Sequence, residues 1–111
     1  MKLDCYKVNR KHREQIAKAN CTQWIVSEWE EVRLFTVAKK NEWICTKNCL
    51  WAIEGNGKNF TELGKTDKDL AYIAKYVTNH NHEWHGYPVT PSRSADRPPT
   101  AILDCWRNGN I

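Results

Sequence analysis

Three histidines lie close together in the stretch from Asn79 to Pro99. The same stretch holds all four prolines of the chain and the side chains of Trp84, Tyr87, Arg93 and Arg97, beside His80, His82 and His85. Imidazoles bind metals and transfer protons near neutral pH, and guanidinium groups bind anions. A long irregular segment in a small domain is usually functional or disordered, and its aromatic residues argue against disorder. We therefore take 79–99 as the candidate functional segment.

The three histidines present one possible metal site. In an extended chain, alternate residues point to the same side, so His80 and His82 would share a side and His85 would join them across Gly86. Three imidazoles with an open fourth position are typical of catalytic zinc, with Glu83 as a base. The spacing matches no established zinc motif, however. We therefore expect no metal or cofactor. We expect instead that the aromatic residues of the segment pack it onto the core.

The same segment also suggests a metal-free RNase-like activity. Cleavage of RNA without metal needs a base, an acid and cations for the phosphorane. Under this alternative the catalytic set is His80, His82, His85, Arg93 and Arg97. A surface ion pair between neighbouring Asp96 and Arg97 is the competing interpretation of the last of these.

Composition predicts one domain spanning residues 1–111. The chain is 41% apolar and 27% charged, within the usual range of globular proteins. No apolar run approaches the roughly 20 residues of a membrane helix, and the N-terminus does not resemble a signal peptide. The five cysteines are odd in number and scattered, which favours reduced thiols over a disulfide framework. We expect a cytoplasmic protein without membrane contact.

The net charge of +4 is concentrated in the first 20 residues, which carry six basic and two acidic side chains. The other 91 residues hold eleven of each sign. Lys7, Arg10 and Lys11 are therefore candidate contacts to nucleic acid or to another acidic partner. The alternative is a solvated helix face that keeps the protein in solution.

Residue patterns predict the elements before the histidines. Apolar residues at helical spacing predict an N-terminal helix over 4–20. The Val, Ile, Phe and Trp content after it predicts an antiparallel meander of about four strands, drawn from 23–27, 32–38, 43–45, 50–54 and 58–63. Turns are expected at 39–42 and at the Asn-Gly pair of 55–58. Ser27 and Glu30 also have capping-box spacing, so a helix through Lys40 competes with the strand at 32–38.

Two helices are predicted around the candidate segment. Thr66 and Asp69 have capping-box spacing before a helical apolar repeat, which predicts a helix over 67–79. Pro98-Pro99 begins a second helix that Gly109 would end. The whole chain is thus predicted to be an α+β domain: a helix, a meander, and two helices separated by a long ordered loop.

The last third of the chain resembles the C-terminal half of small uncharacterised bacterial proteins. The residues concerned are the block 84–89, then Arg97-Pro98-Pro99, Leu103, Trp106 and Gly109. This resemblance implies a bacterial, stand-alone cytosolic domain and assigns no activity. For function we expect a small binding module that uses the 79–99 loop, with Trp84, Tyr87, Arg93 and Arg97, and the basic first helix. Its partner would be a protein or a nucleic acid, and the RNase-like or metal-assisted hydrolase is the alternative.

Overall fold

A computed structural model describes residues 5–14, 21–45, 48–55, 60–79, 82–92 and 94–108. The predicted α+β class is confirmed, but the predicted order of elements is not. The described strands are β1 (Cys5–Tyr6), β2 (Gln23–Trp24), β3 (Ile44–Cys45), β4 (Cys49–Ala52), β5 (Gly64–Lys65), β6 (Leu70–Ala71), β7 (Ile73–Thr78) and β8 (Glu83–Val89). The helices are α1 (Glu28–Lys40) and α2 (Thr100–Arg107), with short 3-10 turns at Arg10–Arg13 and Ser94–Asp96.

The strands form two sheets. The larger has five strands in the order β1-β8-β7-β4-β3, antiparallel throughout except that β1 runs parallel to β8. The smaller sheet is antiparallel, in the order β2-β5-β6. Within the described ranges, neither helix is long and apolar enough to cross a bilayer.

The N-terminal helix prediction is wrong over the described residues 5–14. Cys5 and Tyr6 form β1, paired with Glu83 and Trp84, and a 3-10 turn follows. The Tyr6 ring packs 4.9 Å from that of Phe35, so tertiary aromatic contacts hold this segment extended. The remainder of the predicted helix, 15–20, lies outside the described residues.

The strand predicted over 32–38 is also wrong, and the competing helix is confirmed as α1. The Ser27 hydroxyl accepts a hydrogen bond from the Glu30 amide at 3.2 Å, which is the predicted N-cap. The buried residues of the helix repeat at i, i+3, i+4 and i+7, namely Glu31, Leu34, Phe35 and Ala38. The β-branched Val32 and Thr36 are exposed on it, where their strand preference has little weight. The turn predicted at 39–42 is the end of this helix.

The helix predicted over 67–79 is replaced by β6 and β7. The Thr66 hydroxyl does accept hydrogen bonds from the Lys68 and Asp69 amides, as a helix cap would. The Thr66 amide, however, donates to the Asp69 carbonyl at 2.8 Å and closes a turn between strands. In β7 the buried residues, Ala74 and Tyr76, then alternate with half-buried neighbours, which is the period of a strand.

The long loop predicted over 79–99 is wrong in its first half. β8 pairs with β7 from Trp84 opposite Thr78 to Val89 opposite Ile73. The helix predicted after Pro98-Pro99 is confirmed as α2, with Ile102 and Trp106 buried. Its predicted stop, Gly109, lies outside the described residues.

The predicted strand region is reduced to short elements. β2 keeps only the start of the strand predicted at 23–27, and β3 and β4 lie close to the predicted 43–45 and 50–54. Residues 56–59, with most of the predicted Asn-Gly turn, lie outside the described part, and β5 begins after the strand predicted at 58–63.

Cys45 and Cys49 face each other across the β3–β4 hairpin and form a disulfide, so the prediction of reduced thiols is wrong for this pair.

Candidate binding cleft

A cleft of about 550 Å³ opens beside β8. Four parts of the chain contribute to it: the 3-10 turn after β1, the residue before β2, the turn between β5 and β6, and β8 with the segment after it. The lining residues are Asn9, Lys11, His12, Thr22, Thr66, Asp67, Lys68, Asp69, His85, Tyr87, Val89, Thr90, Ser92 and Asp96. We call this the polar cleft.

β8 supplies one wall of the polar cleft through its strand alternation. His85, Tyr87 and Val89 lie on one side of the strand and line the cleft. The other side of the strand faces the core, where Trp84 is buried with its ring 5.6 Å from that of Phe35. Gly86 lies so close to Tyr76 that an added Cβ would sit 2.3 Å from its ring. A core of large aromatic rings therefore fixes which face of β8 is turned to the cleft.

His12 lines the polar cleft next to Tyr87, and the position of its proton is defined. Its Nδ1 is 2.7 Å from the Thr22 carbonyl oxygen. Because a carbonyl only accepts, a neutral His12 carries its proton on Nδ1 and keeps a lone pair on Nε2. The imidazole stacks on the Tyr87 ring, with 5.0 Å between ring centroids and 14° between planes.

The surroundings of His12 favour the neutral ring. Burial lowers the pKa of His12 below its ordinary value, and the hydrogen bond to Thr22 opposes that shift. The positive charge of Lys11 lowers the pKa further, and the nearby His85 acts in the same direction. A neutral imidazole with a free Nε2 is the form that accepts a proton or a hydrogen bond from a ligand.

Gln23 attaches the turn that carries His12 to β2. Its buried side chain donates from Nε2 to the Lys11 carbonyl at 2.8 Å and accepts from the Glu14 amide at 2.6 Å. The Asn9 side chain caps the turn by accepting from the Lys11 amide. The position of His12 is thus set by hydrogen bonds on both sides of it in the sequence.

The charges that line the polar cleft nearly balance. Lys11 and Lys68 are opposed by Asp67 and Asp69. The third acid, Asp96, lies 3.6 Å from Lys75, whose ammonium also donates to the Ala95 carbonyl. The described lining therefore offers donors and acceptors in comparable number, without a strong field of either sign.

The predicted site residues of the 79–99 segment are dispersed. Tyr87 and His85 line the polar cleft, whereas Trp84 is buried in the core. His82 is exposed, in a turn with φ of 61°. The exposed Arg97 donates from Nε to the Pro91 carbonyl at 2.9 Å. His80 and Arg93 lie outside the described residues, and among the residues described no group of three His, Cys, Asp or Glu is placed to hold a metal ion.

The predicted basic contacts are largely ion-paired. Lys7 lies 3.2 Å from Glu83, and Arg10 lies 2.9 Å from Glu28. Lys11 lines the polar cleft.

His12 was not predicted as a site residue, although it is the only histidine of the sequence outside the 79–99 segment. Its one signal in the sequence is that it interrupts the apolar repeat of the helix predicted over 4–20.

Known proteins supply no assignment for this cleft. Comparison with protein families, with curated proteins and with solved structures gives no match to this chain. The chemistry of the polar cleft therefore follows only from its own residues and their geometry.

Proposed function

We propose that this protein is a small binding module and that the polar cleft is its ligand site. Its volume of about 550 Å³ lies within the range of roughly 300–1,000 Å³ that is usual for small-ligand sites. The observation that carries the proposal is the stacked pair of His12 and Tyr87 in the cleft, with His12 held neutral by burial. The pair offers an acceptor nitrogen next to a rigid aromatic surface.

The balance of charge selects the kind of ligand. A cleft lined by two lysines and by Asp67 and Asp69 favours a ligand with both donors and acceptors over a polyanion. An unpaired nucleobase with its sugar and a polar peptide loop both present such groups. Their source would be the nucleic-acid or protein partner expected from the sequence, and we propose a bacterial cytoplasm as the setting.

Titration followed by two-dimensional NMR tests this proposal. The probes are the nucleosides adenosine and cytidine and a tripeptide of serine and asparagine, at millimolar concentration. We expect saturable shift changes at the amides of residues 11, 67–69 and 85–87 for at least one probe. Asp67→Asn should weaken that binding several-fold, whereas Lys40→Gln, on the exposed end of α1, should not. Absence of saturable shifts in these amides with every probe would refute the proposal.

The second candidate is metal-free cleavage of RNA, which the state of His12 favours. Nε2 of neutral His12 would accept the 2′-hydroxyl proton while that oxygen attacks the phosphorus. A protonated His85 would give its proton to the departing 5′-oxygen, leaving a 2′,3′-cyclic phosphate. Lys11 and Lys68 are the lining cations available to the phosphorane. His12 and His85 thereby replace the catalytic set proposed from the sequence.

A fluorescent RNA oligonucleotide assay in excess EDTA tests this candidate. We expect cleavage with a bell-shaped pH dependence, reduced by about 10²-fold or more in His12→Ala and in His85→Ala. The exposed His82→Ala is the matched control and should keep full activity. A purified protein that binds a nucleoside probe but leaves the RNA intact would reject catalysis and keep the binding module.

A further inference from the structure

A second, apolar pocket of about 250 Å³ lies where α2 meets the beginnings of β6 and β7. Its walls include Ile53, Phe60, Leu70, Tyr72, Leu103 and Trp106, and we call it the apolar pocket. Phe60, Leu70 and Tyr72 are 39%, 46% and 38% exposed. Three large apolar side chains that are partly exposed to solvent and line the same pocket are typical of a binding site.

One charged side chain stands in this apolar lining. Arg107 is the only ionisable group with an ordinary charge at neutral pH among the described residues of the apolar pocket. It lies in the last turn of α2, is 70% exposed at its side chain, and is 3.8 Å from the exposed Asp104. That separation is long for a charge-assisted hydrogen bond, so the guanidinium keeps donors for a planar carboxylate.

One residue that lines the same pocket carries a buried donor. Trp106 is 2% exposed, and its indole Nε1 has no hydrogen-bond partner in the described part of the chain. The indole Nε1 atoms of two other buried tryptophans, Trp51 and Trp84, also have no hydrogen-bond partner among the described residues. Of the three, Trp106 is the one that lines this pocket. A ligand oxygen at the pocket wall would satisfy a donor that is costly to leave unpaired.

We propose that the apolar pocket binds a small monocarboxylate with an apolar body. The carboxylate would lie between Arg107 and the Trp106 indole nitrogen, and the apolar body would fill the space beside Leu70 and Tyr72. At roughly 30 Å³ for each water-sized group, 250 Å³ holds about eight such groups. A medium-chain or aromatic acid has this size, whereas a long-chain fatty acid exceeds it. The apolar pocket shares only Thr90 with the polar cleft among the described lining residues, and its proposed ligand does not depend on the function proposed for the cleft.

Tryptophan fluorescence and NMR titrations with octanoate test the proposal, with octan-1-ol and hexadecanoate as comparison probes. We expect saturable octanoate binding with shifts at the amides of 70–73 and 103–107. Octan-1-ol, which lacks the anion, should bind at least tenfold more weakly. Hexadecanoate should bind no better than octanoate, because the pocket is too small for the added chain.

Two variants separate the roles of charge and cavity. Arg107→Gln should weaken octanoate binding about tenfold and leave octan-1-ol unchanged, whereas Lys40→Gln should alter neither. Leu70→Trp, at an exposed position that tolerates bulk, should block both probes. Equal octanoate binding in Arg107→Gln and the parent protein, or no saturable binding, would overturn the proposal. So would sedimentation showing that a second copy of the chain covers this pocket.

Discussion

The Tyr87 phenol ring lies nearly parallel to the His12 imidazole, with 5.0 Å between the ring centroids, and both residues line the polar cleft. The two residues come from opposite ends of the domain's sequence. Tyr87 is held by the pairing of β8 with β7, and His12 by a hydrogen bond to the Thr22 carbonyl. This stacking joins the N-terminal segment to the sheet and keeps water from one face of the imidazole.

Replacing Tyr87 by leucine should raise the pKa of His12. The substitution keeps an apolar side chain but removes the flat ring, so water reaches the imidazole and its charged form becomes less costly. A titration of the His12 ring protons by NMR should show the pKa moving toward its ordinary value of about 6.5. Lys40→Gln, at the exposed end of α1, is the control and should leave the His12 pKa unchanged. An unchanged His12 pKa would show that stacking does not shield it.

The pH dependence of stability should carry the signature of His12. Its pKa is lowered in the folded protein, so between the folded value and about 6.5 the unfolded chain binds more protons. The contribution of His12 is therefore full above about pH 6.5 and is lost as the pH falls toward the folded pKa. Urea denaturation measured from about pH 5 to 8 should show that the free energy of unfolding rises more steeply with pH in the parent protein than in His12→Asn. Parallel curves would contradict this assignment.

Loss of the Glu31 carboxylate should be strongly destabilising. Glu31 is fully buried, accepts a hydrogen bond from Tyr6, and lies 2.7 Å from Arg13. Glu31→Ala leaves the Arg13 guanidinium without its buried partner, which costs about 3–5 kcal/mol. Glu28→Gln breaks the exposed pair with Arg10 and should cost about 1 kcal/mol or less. Equal unfolding free energies of the two variants would show that the buried pair contributes nothing beyond a surface one.

The cap of α1 offers a smaller and well-controlled test. Ser27→Ala removes the acceptor for the Glu30 amide and should lower the unfolding free energy by about 1 kcal/mol. Thr36→Ala removes a hydroxyl from the exposed middle of the same helix, where alanine has the higher helix propensity, and should not destabilise. Chemical denaturation of both variants checks the difference. An unchanged free energy of unfolding in Ser27→Ala would mean that packing alone sets the start of α1.

Patterns of neighbouring residues predicted an element correctly where its structure depends on contacts within the same segment. Pro98-Pro99 and the apolar face of Ile102 and Trp106 were enough to predict α2. The capping-box spacing of Ser27 and Glu30 also indicated α1, but the strand propensity of 32–38 favoured a strand. In α1 the buried face repeats with the helix, so burial outweighs the preference of Val32 and Thr36.

The same reasoning failed where one pattern fits two structures. Leu70, Ile73, Ala74 and Val77 follow a helical repeat, and Thr66 makes the local bonds of a cap, yet the segment pairs as strands. β8 contains Gly86 and Pro88, which normally argue against a strand. Gly86 is needed there because Tyr76 occupies the space of a Cβ. That requirement comes from a neighbouring strand and is invisible in the local sequence.

The sequence by itself determined the α+β class, the last helix and the residue types available for chemistry. Tertiary structure alone decided which of them meet: it separated His82 from His85 and brought His85 to the cleft of His12. Periodicity and capping record only contacts within a few residues, because they follow from backbone geometry. The pairing of β7 with β8, and the position of His12 beside them, depend on burying aromatic rings contributed by distant parts of the chain.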